Sequence, residues 1–283
     1  MNFSDSDVLK HKKPSKDLDW WIPNIDHRIT PKVRNTLEIY SGTPAEEVVS
    51  HVYNIRDQAW SIRPWPCTGM GMFFSSSLPK HPSYSDILAL IQSGGHFLDI
   101  GCYCGTDLRQ LMLDGCPQTN LHGVDLVNHW DLGYDLYRDR HKFDVEYIEA
   151  DLLNPSEQMR ALEGKIDVFG ATHLLHNWDW ETQVRAAANI VGLSKVGAMV
   201  VGFQVGTSNE GPTWNPKNGK EKPELHNLST FKRLWEETAK TTGTKWNVES
   251  RLRDWQDLGH RANETVYLGP ESRILEFLVS RTA

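Results

Sequence analysis

The sequence predicts an α/β fold, a parallel sheet with helices on both faces, on three observations. Five short apolar runs read as strands: HFLDIG (96–101), NLHGVDL (120–126), VEYIEAD (145–151), KIDVFGA (165–171) and GAMVVGFQVG (197–206). Between them lie 105–115, 128–141, 154–164 and 178–195, each with helical periodicity and long enough to cross back over a sheet. A glycine pair also follows the first run, in FLDIGCYCGTD (97–107), where such a fold turns from strand to helix.

The remaining elements follow in chain order. The first twenty residues are charged, lack apolar periodicity and read as a mobile arm. Pro44 and two acids open a helix over 44–62, whose Val48, Val49, Val52, Ile55 and Trp60 share one face. Prolines and glycines make 63–82 a loop, and a shorter amphipathic helix over 82–94 stops at Gly94–Gly95. After the fifth strand, 207–224 is rich in Pro, Gly and Asn and reads as a long surface loop or lid. A helix over 228–243 leads to two strands, 244–255 and 273–282, placed to close the sheet as an antiparallel pair. The chain thus divides into an arm (1–20), an N-terminal helical lid or substrate cap (21–94) and a ligand-binding domain (95–283) with a loop insertion at 207–224. It has no internal repeat.

Composition narrows the function. The chain has 283 residues, 39 % apolar and 24 % charged, enough for a real core. A net charge of −7 argues against nucleic acid or an anionic membrane as the main partner, since both need a basic face. Cys67, Cys102, Cys104 and Cys116 form neither a CxxC pair nor a zinc set, so reduced thiols and no metal are expected. The N-terminus has no secretory signal and no segment is apolar enough to span a bilayer, so a soluble, cytoplasmic protein is expected. Eleven tryptophans suit either an ordinary core or aromatic-lined pockets.

The glycine turn carries the chemistry. The spacing is D-x-G-x-x-x-G, from Asp99 through Gly101 to Gly105, where a dinucleotide fingerprint would read G-x-G-x-x-G. Asp99 in the strand, and Asp107 at the start of the helix, both disfavour a phosphate. S-adenosylmethionine (SAM) fits better, having a sulfonium, an ammonium and no phosphate. A carboxylate 4 Å from its cationic end contributes up to ~4 kcal/mol at an effective dielectric near 20. Asp125 ends the second strand, about twenty residues past Gly105, where an acid accepts both ribose hydroxyls. Asp151 ends the third, where its carboxylate or the amide of Leu152 meets the adenine edge. An acid after one strand is an ordinary helix cap; acids after three successive strands are a site.

FLDIGCYCGTDLRQLMLDG, LHGVDL, LGYDLYRDR and HNWDWETQVRAA resemble the class I SAM-dependent methyltransferases. YSGTPAEEVVSHVYNIRDQAWSIRPWPCTG and FKRLWEETAKTTGTKW narrow the resemblance to fungal secondary-metabolite methyltransferases, typified by the carboxyl and O-methyltransferases of meroterpenoid clusters. The likeness runs from Tyr40 to beyond Trp246. It implies a Rossmann-like, seven-stranded, mostly parallel sheet with an antiparallel last strand. It also implies that Asp99, Gly101 and Gly105 hold the methionine end, and Thr106 and Asp107 at the helix start are further cofactor-binding candidates. Asp125 and Leu126 would take the ribose, Asp151 with Leu152 the adenine, and S-adenosylhomocysteine (SAH) would be the product. His173 stands where this subgroup implies a small or apolar residue, and Phe203 where it implies a basic one.

Methyl transfer is an in-line displacement, so orientation supplies ~7–11 kcal/mol of the catalysis. A carboxylic acid acceptor is ionised at neutral pH, whereas a phenol near ~10 is helped by a base. His173 and His176 in GATHLLHNWDW are candidates for that base, or else bond the adenosyl group or the backbone. Gln204 is a candidate donor to the acceptor. Arg63, with Trp65, closes over the site beside an acidic substrate or the methionine carboxylate, or is a surface residue. The N-terminal helices and the Trp214 loop would form the pocket of a bulky apolar small molecule. The reading is O-methylation of a carboxylate or hydroxyl of a specialised metabolite. Its rivals are cyclisation or isomerisation on the same fold without methyl transfer, and a non-catalytic metabolite-binding protein. Oligomeric state stays open, a homodimer included.

Overall fold

In the computed structural model, residues 14–210 and 225–283 are described. Among them, seven strands form one sheet: β1 (Phe97–Ile100), β2 (Leu121–Asp125), β3 (Glu146–Glu149), β4 (Ile166–Gly170), β5 (Ser194–Thr207), β6 (Trp246–Arg253) and β7 (Ser272–Arg281). Their order is β3-β2-β1-β4-β5-β7-β6, with β7 antiparallel to both neighbours and the β1–β5 pairs parallel. This is the predicted class I arrangement. The closing pair differs from a simple hairpin, because residues 254–271 join its strands through three short 3-10 turns.

The helices are α1 (Pro31–Asn35), α2 (Val48–Ile62), α3 (Pro66–Gly69), α4 (Tyr84–Gln92), α5 (Thr106–Leu113), α6 (Trp130–Tyr137), α7 (Glu157–Arg160), α8 (Trp180–Leu193) and α9 (Leu228–Thr242). Local chemistry sets their ends. Ser156, Asp179 and Asn227 cap α7, α8 and α9 by accepting a backbone N–H from the first turn. The predicted loop 63–82 holds α3 and a 3-10 turn, and α1 runs into a π-helical turn at Thr36–Tyr40 that the sequence pattern does not show.

Alternation along β1 sorts the core into two layers. Leu98 and Ile100 pack with Ala186, Ile190, Phe231 and Trp235 under α8 and α9. Phe97 faces the other way, with Ile87, Ile91, Leu108 and Leu111 under α4 and α5. The N-terminal segment adds a third cluster over the glycine turn, where Ile25, Val52 and Phe73 meet Cys104, Leu132 and Leu136. Trp20, the last residue of the expected arm, is buried and its indole donates to Pro64 O at 2.9 Å; residues 1–13 lie outside the described residues, as does Trp214. Among the described residues no helix is long and apolar enough to cross a membrane.

Helix α6 ends at Tyr137, short of the predicted 141. Arg138 takes a left-handed turn (φ 50°) and Asp139 is directed inward to Arg109. The pair is bidentate, Nε to Oδ2 at 2.7 Å and Nη2 to Oδ1 at 2.9 Å, and both side chains are essentially buried. Arg109→Met leaves the Asp139 charge buried and unpaired, and is expected to destabilise the fold by about 3–5 kcal/mol in urea denaturation. A loss within about 0.5 kcal/mol would show that the pair is not structural.

Candidate active site

The turn after β1 lies where the sheet order reverses, between β2 and β4. Gly101 (φ 78°), Tyr103 (φ 52°) and Gly105 (φ 65°) all take left-handed backbone. At Gly105 a Cβ would lie 2.5 Å from the Trp130 ring and 2.9 Å from Arg109, so glycine is required by space as well as by φ. Tyr103 holds a conformation that costs an ordinary residue about 1–2 kcal/mol. Three contacts hold it there. Its N–H donates to Asp125 Oδ2 at 2.8 Å, its ring stacks on His129 at 4.1 Å, and its hydroxyl meets Thr68 Oγ1 at 2.5 Å.

Three acids gather at this turn. Asp99 pairs with Gly123 of β2 and Gly170 of β4, is 6 % exposed, and its carboxyl group makes no hydrogen bond among the described residues. Burial, then the charges of Asp107 and Asp125, hold its carboxyl well above the usual carboxylate range. Asp125 accepts from the N–H groups of Tyr103, Leu126 and Val127; burial outweighs those bonds and pushes it up to about 6. Burial also raises Asp107, which accepts from the Ser76 hydroxyl at 2.5 Å and from the N–H groups of Ser77 and Leu78. Asp107 therefore ties the cap to α5 and would reach a ligand through its field alone. Thr106 is similarly engaged, donating to Phe73 O at 2.6 Å and accepting from Tyr137.

The other predicted contacts fall around this centre. Leu126 is 37 % exposed beside Asp125, an apolar surface open to a flat ring. Asp151 uses both oxygens locally, on Leu153 N–H and the Asn154 amide, while Leu152 is buried with its carbonyl held by Asn189. Arg63 lies over the Trp65 ring at 4.6 Å, and its charge acts on Asp125 and His129. That places it by Asp125 in this cap.

The segment after β4 leaves the sheet beside Asp99, whose register partner is Gly170. His173 (φ 54°) donates its N–H to Phe203 O of β5 at 2.6 Å, and its ring meets that of His176 edge-on at 5.8 Å. Burial alone pushes His173 down to about 4; burial, with His173 and His226 nearby, pushes His176 down to about 3. Both are neutral at pH 7. Gln204 is fully buried, and neither of its amide atoms has a hydrogen-bond partner among the described residues; nor has His176 Nδ1.

A family profile described as "Meroterpenoid methyltransferase N-terminal domain" matches residues 20–74. O-methyltransferase phiE of a fungal species (strain ATCC 74256) is 41 % identical over 242 residues, covering 83 % of this chain and 80 % of phiE. O-methyltransferase atr3 of Stereocaulon alpinum is 34 % identical over 88 % of this chain and 73 % of its own. The Asnovolin E/Chermesin D methyltransferase nvfJ of Aspergillus novofumigatus is 34 % identical over 78 % and 81 %. The chain belongs to the SAM-dependent methyltransferases of fungal secondary metabolism. Among solved structures, the Haemonchus contortus phosphoethanolamine N-methyltransferase 2, crystallised with its phosphobase and SAH, shares the fold. It superposes with a TM-score of 0.51 at 18 % identity, over 89 % of this chain and 61 % of its own.

Several residues of this methyltransferase escaped the sequence reading. Tyr103 sits inside the quoted motif, yet its left-handed backbone has no signal there, since tyrosine seldom takes it. His129 meets Tyr103, and Arg28 meets His260 and Glu264, only in the fold, across long separations in sequence. Among the described residues no cluster of His, Cys, Asp and Glu is arranged to hold a metal.

The raised Asp125 predicts a pH signature for the empty protein. Below about 4 the carboxyl is protonated in native and unfolded chains alike and costs nothing. Between about 4 and 6 the unfolded chain sheds its proton first, so stability falls as pH rises, and above 6 the deficit is constant. The stability of wild type minus that of Asp125→Asn, from denaturation at pH 4 to 8, should therefore fall over that window and then level. A difference that rises with pH would contradict the burial of an uncompensated carboxylate.

Proposed function

We propose that this chain transfers the methyl group of SAM to an oxygen of a small, largely apolar metabolite, at a carboxylate or an acidic hydroxyl. The observation that carries the reading is the cluster of Asp99, Asp107 and Asp125 around a glycine turn. Mutual repulsion and burial leave it in want of a cation, and SAM brings a sulfonium and an ammonium with no phosphate. Gly101 and Gly105 allow the methionine end to approach the backbone, with Asp99 as its counter-charge. Asp125 takes the ribose hydroxyls, Leu126 and Leu152 flank the adenine, and the Leu152 amide with Asp151 meets its edge. Arg63 balances Asp125 from the cap.

The chemistry supports an acidic acceptor. The acceptor oxygen attacks the methyl carbon, the C–S bond breaks, and SAH leaves as a neutral thioether, so one positive and one negative charge disappear together. Moving a phenol proton of pKa ~10 to a histidine titrating at about 4 is uphill by roughly 8 kcal/mol, so His173 and His176 are poor bases for it. An oxygen that arrives ionised needs no base. His173, His176 and Gln204 then act as neutral hydrogen-bonding groups that orient it. The family description and the name of nvfJ point to a meroterpenoid-type acceptor, and the tryptophan-rich cap suits one. Four free cysteines are consistent with a reducing, cytoplasmic compartment.

Incubation with methyl-tritiated SAM and a fungal culture extract, separated into acidic and phenolic fractions, tests the reading. Label should be taken up first by the acids, appearing as a neutral, base-labile methyl ester. Conversion of a compound without label would instead support cyclisation or isomerisation. Asp125→Ala should weaken SAM binding at least tenfold in calorimetry; unchanged affinity would sink the ribose placement.

A further inference from the structure

Outside the glycine turn, a buried ionic cluster joins the N-terminal cap to the connection between β6 and β7. Glu264 is 3 % exposed and carries a carboxylate at the centre of three contacts. Arg28 Nη2 donates to Oε2 at 2.5 Å, His27 Nε2 lies 2.7 Å from Oε1, and the Arg261 N–H donates to Oε2 at 3.1 Å. The same Arg28 Nη2 lies 3.1 Å from His260 Nδ1. A guanidinium has donors only, so His260 Nδ1 must accept. A neutral imidazole that accepts at Nδ1 carries its proton at Nε2. Arg28 thereby fixes the tautomer of His260, and Glu264 fixes Arg28.

The ring of His260 is 5 % exposed and stands edge-on to Trp255 at 4.9 Å. Trp255 packs in one cluster with Phe203, Leu258 and Ile274, and it is the Phe203 carbonyl that holds the His173 N–H. His260 thus reaches, through Trp255, the cluster whose Phe203 carbonyl holds His173, and His173 lies close enough for its charge to act on His260. Nε2 of His260 has no hydrogen-bond partner among the described residues. Burial, then the charge of Arg28, holds the ring neutral, down to about 2. Lys80, donating to Leu258 O at 2.7 Å, and His81, bonded to Phe277 O at 3.0 Å, lock the cap to this wall.

The geometry points to His260 as an acceptor-orienting residue: its Nε2–H, aligned by Arg28 and Glu264, donates a hydrogen bond to an oxygen of the methyl acceptor across from His173. Arg28 and Glu264 are positioning residues that act through it. The arrangement couples cap docking to acceptor binding, since the residue that sets the tautomer comes from the cap and the donor from the far edge of the sheet. A neutral donor also suits a nucleophilic oxyanion better than an imidazolium, which would hold its electrons more tightly. This inference rests on the proposed methyl-transfer reading, which places the acceptor beside residues 171–177.

The test uses the SAH-loaded protein and benzoate, the simplest aryl carboxylate, as the probe. Nitrogen-15 NMR at pH 7 should show His260 as the Nε2–H tautomer, and the Nδ1–H tautomer would overturn the inference. Benzoate should bind wild type saturably, His260→Phe at least tenfold more weakly, and His260→Gln within about threefold of wild type, with SAH affinity unchanged throughout. Glutamine keeps a donor near Nε2, whereas His260→Asn keeps one near Nδ1 and should behave like the phenylalanine variant. Should His260→Phe not fold, the Gln and Asn pair decides, and equal affinities overturn the inference. Equal benzoate affinity in wild type and His260→Phe, or no benzoate binding by wild type, also overturns it. Loss of SAH binding by the wild type would instead sink the underlying reading of the glycine turn.

Discussion

The buried pairing of Arg109 with Asp139 is the constraint on which the site depends. Besides its bidentate contact with Asp139, Arg109 donates through Nη1 to the carbonyls of Cys104 and Gly105, the last residues of the glycine turn. Asp139 accepts in addition from the Tyr40 hydroxyl at 2.8 Å, in the cap. One ion pair thus fixes the turn, the end of α6 and the N-terminal segment against each other. The guanidinium also lies over the rings of Phe143 and Tyr137, at 3.9 and 4.7 Å, so its flat faces are packed and only its edge is polar. A lysine could carry the charge but not the planar fork that reaches four oxygens.

That rigidity matters because the turn it holds is electrostatically unfavourable when empty. Asp99 and Asp125 are buried and raised, and Asp99 is repelled by Asp107 and Asp125. A flexible turn would relieve the repulsion by moving the carboxylates apart or into water. Held in place, they would on the proposed reading form a site whose free energy falls when a cation arrives, which is preorganisation in the ordinary electrostatic sense. The left-handed Tyr103 belongs to the same economy, since its amide is spent on the Asp125 carboxylate and its ring on His129.

The sheet was legible because its causes are local. Alternation at Phe97 and Leu98, glycines at 101 and 105 and the acid at 99 lie within nine residues, and the acid at 125 ends the next strand. Even so, β5 begins at Ser194, directly after α8, where Ser194 and Ala198 are buried while Val196 and Gly197 between them are exposed. The acceptor side was legible only in part. His173, His176 and Gln204 could be named from their positions after β4 and on β5. Their neutrality could not, since it comes from burial, which is set only once the chain has folded. The Arg28–Glu264–His260 cluster was invisible, because Arg28 lies more than two hundred residues from the other two and none sits in a motif. Thr106 and Asp107 show the converse: they stand in the motif, yet their polar atoms bind the cap.

On the proposed reading, the Asp-lined glycine turn seats the nucleoside of the methyl donor. A crystal structure of the protein with SAH measures this most directly. The account predicts both ribose hydroxyls within hydrogen-bond distance of the Asp125 carboxylate and the methionine ammonium on the Asp99 side of the turn. SAH bound away from the turn, or with its ribose on other residues while Asp125 keeps only its backbone partners, would contradict it.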